Sequence, residues 1–499
     1  MRNCRRGALL SAVFSLGLAA SAASTAHAES LMDAIALAYQ TNPQILTQRS
    51  ILRNADEIYY RTQRAIGPTI SADVALGATA IYDFDPTTSC ITSSGTPVCF
   101  TYDRFNTTDS TSAAVSVTQP IYSGGRLTAN IKAQEAAVLA ARENLRRVES
   151  AVLQIVVNDY VEVNRAAEAL QIAEQNVVVL TRQQQEAQTR FEVGASTRTD
   201  VAQAQSRLAT AQTSLIQARA QLANAQANYA RDVGQPPGKL DKEPPVGNLL
   251  PRDAAAAFDV AQNSSPALRA AYLQERQSAQ LVAAAKSAYR PTITGTIVGG
   301  YVPNIFGQSQ DRSVTAGIRA TVPLYTGLTT ASTVRSAIET NNQDNINIEN
   351  QRRTLLQQIT TGFNQLVSSR ASIQSNQTAV DASNLAQMGT REEQQVGLRT
   401  TLDVLNAEQE YRAAQLNLIN ARANEYTAAV ALLNSMGMLD VGVFAPSAPR
   451  YNPKVHFDKI NDFELPWEPV IKSIDQILAP QAPVRQPGTN EVVPKFGEP

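Results

Sequence analysis

Histidine, cysteine, tryptophan and long apolar runs are all scarce in this 499-residue chain, and each scarcity removes a class of protein. Three cysteines are too few for a disulfide-framed scaffold, and two histidines cannot build a histidine-rich metal centre. Aromatic residues make up only 6%, and 43 Lys plus Arg against 44 Asp plus Glu leave no basic excess to hold a nucleic acid. A 43% hydrophobic content argues against a mainly disordered chain. HExxH, GxSxG and phosphate-cradling glycine loops are missing, so no enzyme, cofactor or metal site is expected. After residue 28 no segment approaches the ~18 consecutive apolar residues of a membrane-spanning helix.

The first 28 residues read as a segment of their own. Arg2, Arg5 and Arg6 precede the apolar run from Ala8 to Ala20, and Ala26-His27-Ala28 has the small-x-small form of an export cleavage site. Losing the three arginines moves the formal charge from -1 to -4, and Cys4 is expected to go with them. An exported chain with no apolar helix is either soluble outside the cytoplasm or spans a membrane as part of a β-barrel. Export also permits a disulfide, which Cys90 and Cys99 are expected to form across a turn region holding Gly95 and Pro97; two free thiols are the alternative.

The chain repeats itself. Asn42-Pro43 matches Ser265-Pro266 and Gly67-Pro68 matches Arg290-Pro291, both 223 residues apart. Gln119-Pro120-Ile121-Tyr122 matches Val322-Pro323-Leu324-Tyr325, Val193-Gly194 matches Val396-Gly397, and Asp200-Val201 matches Asp403-Val404, all 203 apart. Several pairs in order with one change of offset mark a duplication whose first copy carries about 20 extra residues, Cys90 and Cys99 among them.

Each copy is expected to run helix, strand, loop, strand, long helix, shorter helix. A first helical run covers 31–65. The period then becomes two: Ile70, Ala72, Val74, Leu76, Ala78, Ala80 and Tyr82 face one way and Thr69, Ser71, Asp73 and Thr79 the other. Strands are expected at about 69–82, 110–122, 292–302 and 312–325. A tilted strand crosses a bilayer in about 9–11 residues, so these are long enough, yet four cannot close a barrel when the smallest use about eight. Spanning strands would therefore oblige the chain to oligomerise, while a soluble hairpin sheet packed on the helices remains open.

Residues 126–191 lack proline, and at about 1.5 Å per residue they form a rod of roughly 100 Å, too long for one core to wrap. The next helix, about 199–233, has Val201, Leu208, Leu215, Leu222 and Tyr229 at spacing seven, with Ala204, Ala211, Ala218 and Ala225 between them. Copy two repeats the seam, broken at Glu425. Alanine at one seam position suits a wall of single helices lying close together, with two short helices placed end to end against each long one; an isolated coiled-coil stalk is the alternative. Ten of the 24 prolines fall in the last 62 residues, so the tail from 439 is expected to be extended or disordered, wrapped on the helices, with Pro466-Trp467-Glu468-Pro469 either a docking motif or a lone anchoring tryptophan.

In the order and duplication of these marks, including Gln119-Pro-Ile-Tyr-Ser-Gly-Gly125, the chain resembles the TolC family of outer-membrane efflux and secretion channels over about residues 30–438. The resemblance implies a mixed fold: a 12-stranded β-barrel in outer-membrane lipid, shared by a homotrimer at four strands per chain, above a long α-helical coiled-coil barrel in the periplasm. Residues 29–438 are then the channel protomer, copy one 29–238 and copy two 247–438, and 439–499 an extension. Implied partners are a periplasmic membrane-fusion adaptor and an inner-membrane efflux transporter or ABC exporter. Val193-Gly194 and Val396-Gly397 match the turns at the periplasmic tip. Arg399 and Asp403 match the basic and first acidic gate residues of the second copy, and Asp200 the acidic residue of the first. Gln394 stands where the best-known channels have tyrosine and Asn406 where they have a second aspartate, which implies fewer latch contacts and a ring of three carboxylates. A plain helix-surface pair of Arg399 with Asp403, four residues apart, is the bland reading. The expected function is an exit duct for small toxic compounds; a type I protein secretion channel and an exported coiled-coil structural protein or adhesin are the alternatives.

Overall fold

The computed structural model describes residues 29–93, 95–109, 111–302, 311–446, 448–461 and 465–484. The leader and the end of the tail lie outside the described residues. Asn42 divides the first helical run, so the single helix expected over 31–65 is two. It ends α1 (Leu31–Thr41) and opens α2 (Pro43–Arg64), its side chain accepting from Gln44 N at 2.9 Å. Pro43 sits at the first helical position, where its missing N–H costs nothing. Copy two repeats the break at Ser265, between α5 (Ala254–Ser264) and α6 (Pro266–Lys286).

The strands of copy one are β1 (Thr69–Ala75), β2 (Ala78–Ser93), β3 (Thr96–Asp109) and β4 (Ser112–Tyr122). Copy two supplies β5 (Thr292–Val302) and β6 (Asp311–Thr321). An antiparallel four-stranded sheet has the order β1-β4-β5-β6, while β2 and β3 pair only with each other. The strand expected over 69–82 is thus broken at Leu76-Gly77, and the extra residues of copy one extend the hairpin past the sheet. Alternation alone could not show this, because its period continues unbroken across the two residues. Within the hairpin Cys90 faces Cys99 as a cross-strand pair and the two are bonded.

Register aligns like with like across all four strands. Ile70, Val117, Ile297 and Ala316 form one row, and Ala72, Val115, Gly299 and Val314 the next. On the other face lie Thr69, Thr118 and Thr296, and Ser71 with Ser116, whose hydroxyl oxygens are 2.8 Å apart. Ile70, Val74, Val314 and Ile318 are largely exposed, so this face is apolar across its middle rows and uncovered by this chain, with Gln119 toward the rods and Arg312 toward the far end.

The rods are α3 (Arg126–Glu192) and α7 (Thr329–Gln395), 67 residues each, or about 100 Å. They are followed by α4 (Arg198–Val233) and α8 (Thr401–Ser435). Near the sheet the helices lie in the order α2, α3, α6, α7, and at the far end α4, α3, α8, α7. Short helices therefore meet end to end. Asn42 Nδ2 donates to Asp232 O at 3.0 Å and Thr41 Oγ1 to Val233 O at 3.2 Å, joining the corner between α1 and α2 to the end of α4. The Ser264 hydroxyl donates to Met436 O at the matching joint, where Gly437 has φ +70° and a Cβ would come within 2.5 Å of Ser264 O. The main core forms a belt around these joints, with Ile35, Leu153, Tyr160, Tyr229, Ile359 and Leu433 fully buried.

The alanine column Ala204, Ala211, Ala218 and Ala225 is buried within the chain, and Leu208, Leu215 and Leu222 are only half-buried. Glu425, the interruption in the second seam, pairs with Arg370 of α7 at 3.0 Å.

The tail departs from expectation over its described part, which carries three short helices: α9 (Val441–Phe444), α10 (Lys454–Asn461) and α11 (Glu468–Gln476). Each is held by distant residues. Phe457 packs on Tyr59 with ring centroids 5.5 Å apart, and His456 Nδ1 lies 3.2 Å from the buried Asp56 carboxylate. Arg64 Nη1 donates to both oxygens of the fully buried Glu468, at 2.8 and 3.1 Å. Asp475, also buried, accepts from Ser123 N and Oγ, Gly125 N, and Thr128 N and Oγ1 at 2.6–3.3 Å. It thereby supplies the cap that α3 lacks from its own N-cap residue, Gly125.

Candidate functional site

The end of the rods farthest from the sheet is built from two equivalent turns. After α3, Gly194 N donates to Phe191 O at 3.0 Å and Ala195 N to Arg190 O at 2.8 Å. After α7, Gly397 N donates to Gln394 O at 3.1 Å and Leu398 N to Glu393 O at 2.9 Å. Both are Schellman closures, which need a left-handed residue at the glycine; φ is +78° at Gly194 and +84° at Gly397. A Cβ on Gly397 would meet nothing within 4 Å, whereas one on Gly125 would lie 2.6 Å from Ala479 Cβ. Gly397→Ala should therefore cost only the left-handed backbone term, about 1–2 kcal/mol, and raise amide exchange at that turn alone. Gly125→Ala should also loosen α11, read by exchange over 468–476.

Each turn leads into a capping box. Thr197 N donates to Asp200 Oδ2 at 2.9 Å while Asp200 N donates to Thr197 Oγ1 at 3.2 Å. Thr400 and Asp403 repeat this at 3.0 and 3.2 Å. The backbone N–H groups of Thr197 and Thr400, followed by their hydroxyls, hold Asp200 and Asp403 below the usual carboxylate range. The local signal was present in sequence as Thr-x-x-Asp at both places.

The copies differ one residue before the box. Ser196 Oγ donates to Asp200 Oδ2 at 3.0 Å, but its counterpart Arg399 turns back to Glu393, Nε to Oε2, at 2.8 Å. Among the described residues Arg399 makes its ion pair with Glu393, while Asp403, the partner in the bland reading, acts on it only through its charge; Arg399 precedes α8 and is not on its face. Gln394 Nε2 donates to Thr401 Oγ1 at 3.3 Å, within one hairpin.

Val193, Val396 and Leu398 are exposed at the tip. Beneath them Leu405 packs with Leu180 and Ala211, joining the two hairpins. A crevice between them is lined by Gln183, Arg190, Arg391, Gln394 and Thr401. Across the hairpins, Arg207 of α4 donates to Asn406 Oδ1 at 3.2 Å and to Gln409 Oε1. No periodic pattern in the sequence singles out Arg207. The structure thus gathers the candidate gate and turn residues at one end, with Asn406 engaged by Arg207 and Asp200 and Asp403 each bound within its own turn, and leaves the Cys90–Cys99 pair in the hairpin beyond the sheet.

The family model described as outer membrane efflux protein matches residues 34–235 and 257–438, one segment for each copy. The chain belongs to the outer membrane efflux protein family. It is 30% identical over 441 residues to the outer membrane efflux protein BepC of Brucella suis, covering 88% of this chain and 91% of that protein. It is 28% identical over 427 residues to the alkaline protease secretion protein AprF of Pseudomonas aeruginosa, covering 83% and 86%. Among solved structures, the Campylobacter jejuni CmeC outer membrane channel aligns with a TM-score of 0.69 at 14% identity, covering 87% of this chain and 90% of that one. As in other members of this family, the sheet belongs to the outer membrane and the rods extend into the periplasm, which places the two turns at the periplasmic end.

Proposed function

We propose that this outer membrane efflux family member works as a homotrimer and forms the exit duct of a tripartite pump that expels small toxic compounds. One observation carries the assembly: every layer of the protomer ends at the same two edges. β1, α2 and α4 form one edge, and β6 and α7 the other. A strand edge left open in hydrocarbon strands its N–H and C=O groups, so β6 of one copy must meet β1 of the next. Three copies of the four-stranded sheet give 12 strands, enough to close. Ile346, Leu356, Val367 and Leu385 are exposed on α7, the edge that meets the next copy. Heat-resistant trimers in the outer-membrane fraction, together with single-channel conductance, are the expected result; a folded, detergent-free monomer from the periplasm would end this reading.

Efflux is favoured by the match to BepC, whose name states it, and the second reading, protein secretion, by the match to AprF. A deletion strain should gain dye and antibiotic susceptibility with its secreted proteins unchanged; the reverse result selects secretion. The exposed tip residues Val193, Val396 and Leu398 suit a periplasmic adaptor that links the duct to an inner-membrane transporter. The disulfide-closed hairpin extends from the end of the sheet opposite the rods and would face the cell exterior.

The gate follows from the tip. In a trimer, three Asp403 carboxylates face a narrow passage, and Asn406 supplies an amide where a second acidic ring would lie. Because both aspartates are held below the ordinary range, the ring stays charged throughout neutral and mildly acidic pH. Capping-box stability is present above the unfolded aspartate range and is lost only as pH falls through the depressed values. Block by millimolar divalent cations should be weak and should vanish in Asp403→Ala. Conductance measured with and without the cations checks this, and block unchanged in the variant removes Asp403 from the gate.

A further inference from the structure

Helix α11 is amphipathic the wrong way round for a soluble surface. Of its three charged residues, Glu468 and Asp475 are buried, at 0% and 1% exposure, and Lys472 is half-buried, while Trp467, Val470, Ile477 and Leu478 are exposed at and beyond its ends. Pro466, Pro469, Ser473 and Gln476 complete the exposed face, and the charge nearest it is the half-buried Lys472 at its flank, a cation whose long stem lets its ammonium reach anionic headgroups. An apolar stripe containing a tryptophan is costly in water and favourable where lipid headgroups meet acyl chains.

Its position fits that partner. Tyr122, the last residue of β4, donates its hydroxyl to Ile477 O at 3.2 Å. The register shift between Pro120 and Tyr122 pairs Tyr122 with Ile293, which puts it in the column of Ile297, on the apolar face of the sheet. Ile471 packs against Ile66 and Leu127, where the sheet gives way to the rods. So α11 lies at the periplasmic rim of the strands, on the side of their lipid-facing surface. Tyr289 and Tyr325, exposed beside the ends of β5 and β6, mark the same level on copy two.

We infer that the C-terminal extension is a membrane-interface anchor: α11 rests on the periplasmic leaflet of the outer membrane, with Trp467, Val470, Ile477 and Leu478 at the headgroup boundary. The inference rests on the outer-membrane duct reading and adds to it a lipid-binding surface outside the strands. The two buried carboxylates fix the helix to the rim, which leaves the opposite face free to meet lipid.

The test uses the chain's single tryptophan. Full-length protein is reconstituted in phosphatidylethanolamine–phosphatidylglycerol vesicles, and the emission of Trp467 and the conductance are read on the same preparation. Emission is expected to be blue-shifted, insensitive to aqueous iodide, and lost with brominated lipid, more with bromine on the upper acyl carbons than near the chain ends. Val470→Asp with Ile477→Asp, both at exposed positions, should exchange lipid quenching for iodide quenching and leave conductance intact. Iodide quenching in the unaltered protein overturns the inference. So does shielding from both quenchers, which would show that a neighbouring copy covers the face. Absence of conductance in the unaltered protein would count against the duct itself, independently of where Trp467 lies.

Discussion

Arg64→Ala is expected to detach the C-terminal extension, because it leaves the fully buried carboxylate of Glu468 without the guanidinium that holds it. Removing one partner of a buried ion pair costs about 3–5 kcal/mol, more than the pair itself is worth, since the remaining charge has neither water nor a counter-ion. A shift of that size increases the undocked population by more than about 100-fold at 1.4 kcal/mol per tenfold. Limited proteolysis of the folded full-length protein should read it directly, with cleavage between α10 and α11 accelerated by that factor. Arg64→Met combined with Glu468→Met removes both charges and should recover most of the loss. Equal cleavage rates for the single variant and the unaltered protein would mean that the pair does not hold the tail.

Asp475→Ala should have a comparable effect by a different route. Its carboxylate satisfies three backbone N–H groups and two hydroxyls at the start of α3. Charge-assisted hydrogen bonds contribute about 1.5–3 kcal/mol, and several share this one acceptor, so a loss of about 3 kcal/mol is expected after partial rescue by water. Asp475→Asn keeps one acceptor oxygen but loses the charge that the positive end of the helix favours, and should fall between the two. Amide exchange at Gly125 and Thr128 is the measurement; protection unchanged in Asp475→Ala would remove the cap from the account. Copy two offers an internal comparison, since α7 starts after Leu328, at φ +65°, with no side-chain cap.

These two contacts also show where sequence reasoning stops. Duplication, strand faces, the alanine seam and the glycine turns were legible because each is a local or periodic property: Ile70, Ala72 and Val74 share a face because a period of two puts them there, whereas the row that joins Ile70 to Val117 depends on register. The tail was not, because proline-rich composition reports local propensity and the helices at 454–461 and 468–476 are held by partners far away; Ser123 and Asp475 are 352 residues apart. At the tip, Asp200 and Asp403 were legible as acidic residues after a turn. Their engagement in capping boxes was written in the Thr-x-x-Asp spacing, and the bridge from Arg207 to Asn406 was not written in any local pattern.

The joints at Asn42 and Gly437 have a mechanical consequence. An unbroken α-helix resists bending and twisting through its whole length, but a splice held by a few hydrogen bonds transmits compression well and torque poorly. Since α3 and α7 are continuous while α4 and α8 are spliced to the segments above them, the chain pairs a stiff spar with a jointed strut. In the trimeric duct proposed above, a twist applied at the tips would therefore be taken up by α4 and α8 at their splices, leaving the rim in the membrane in place.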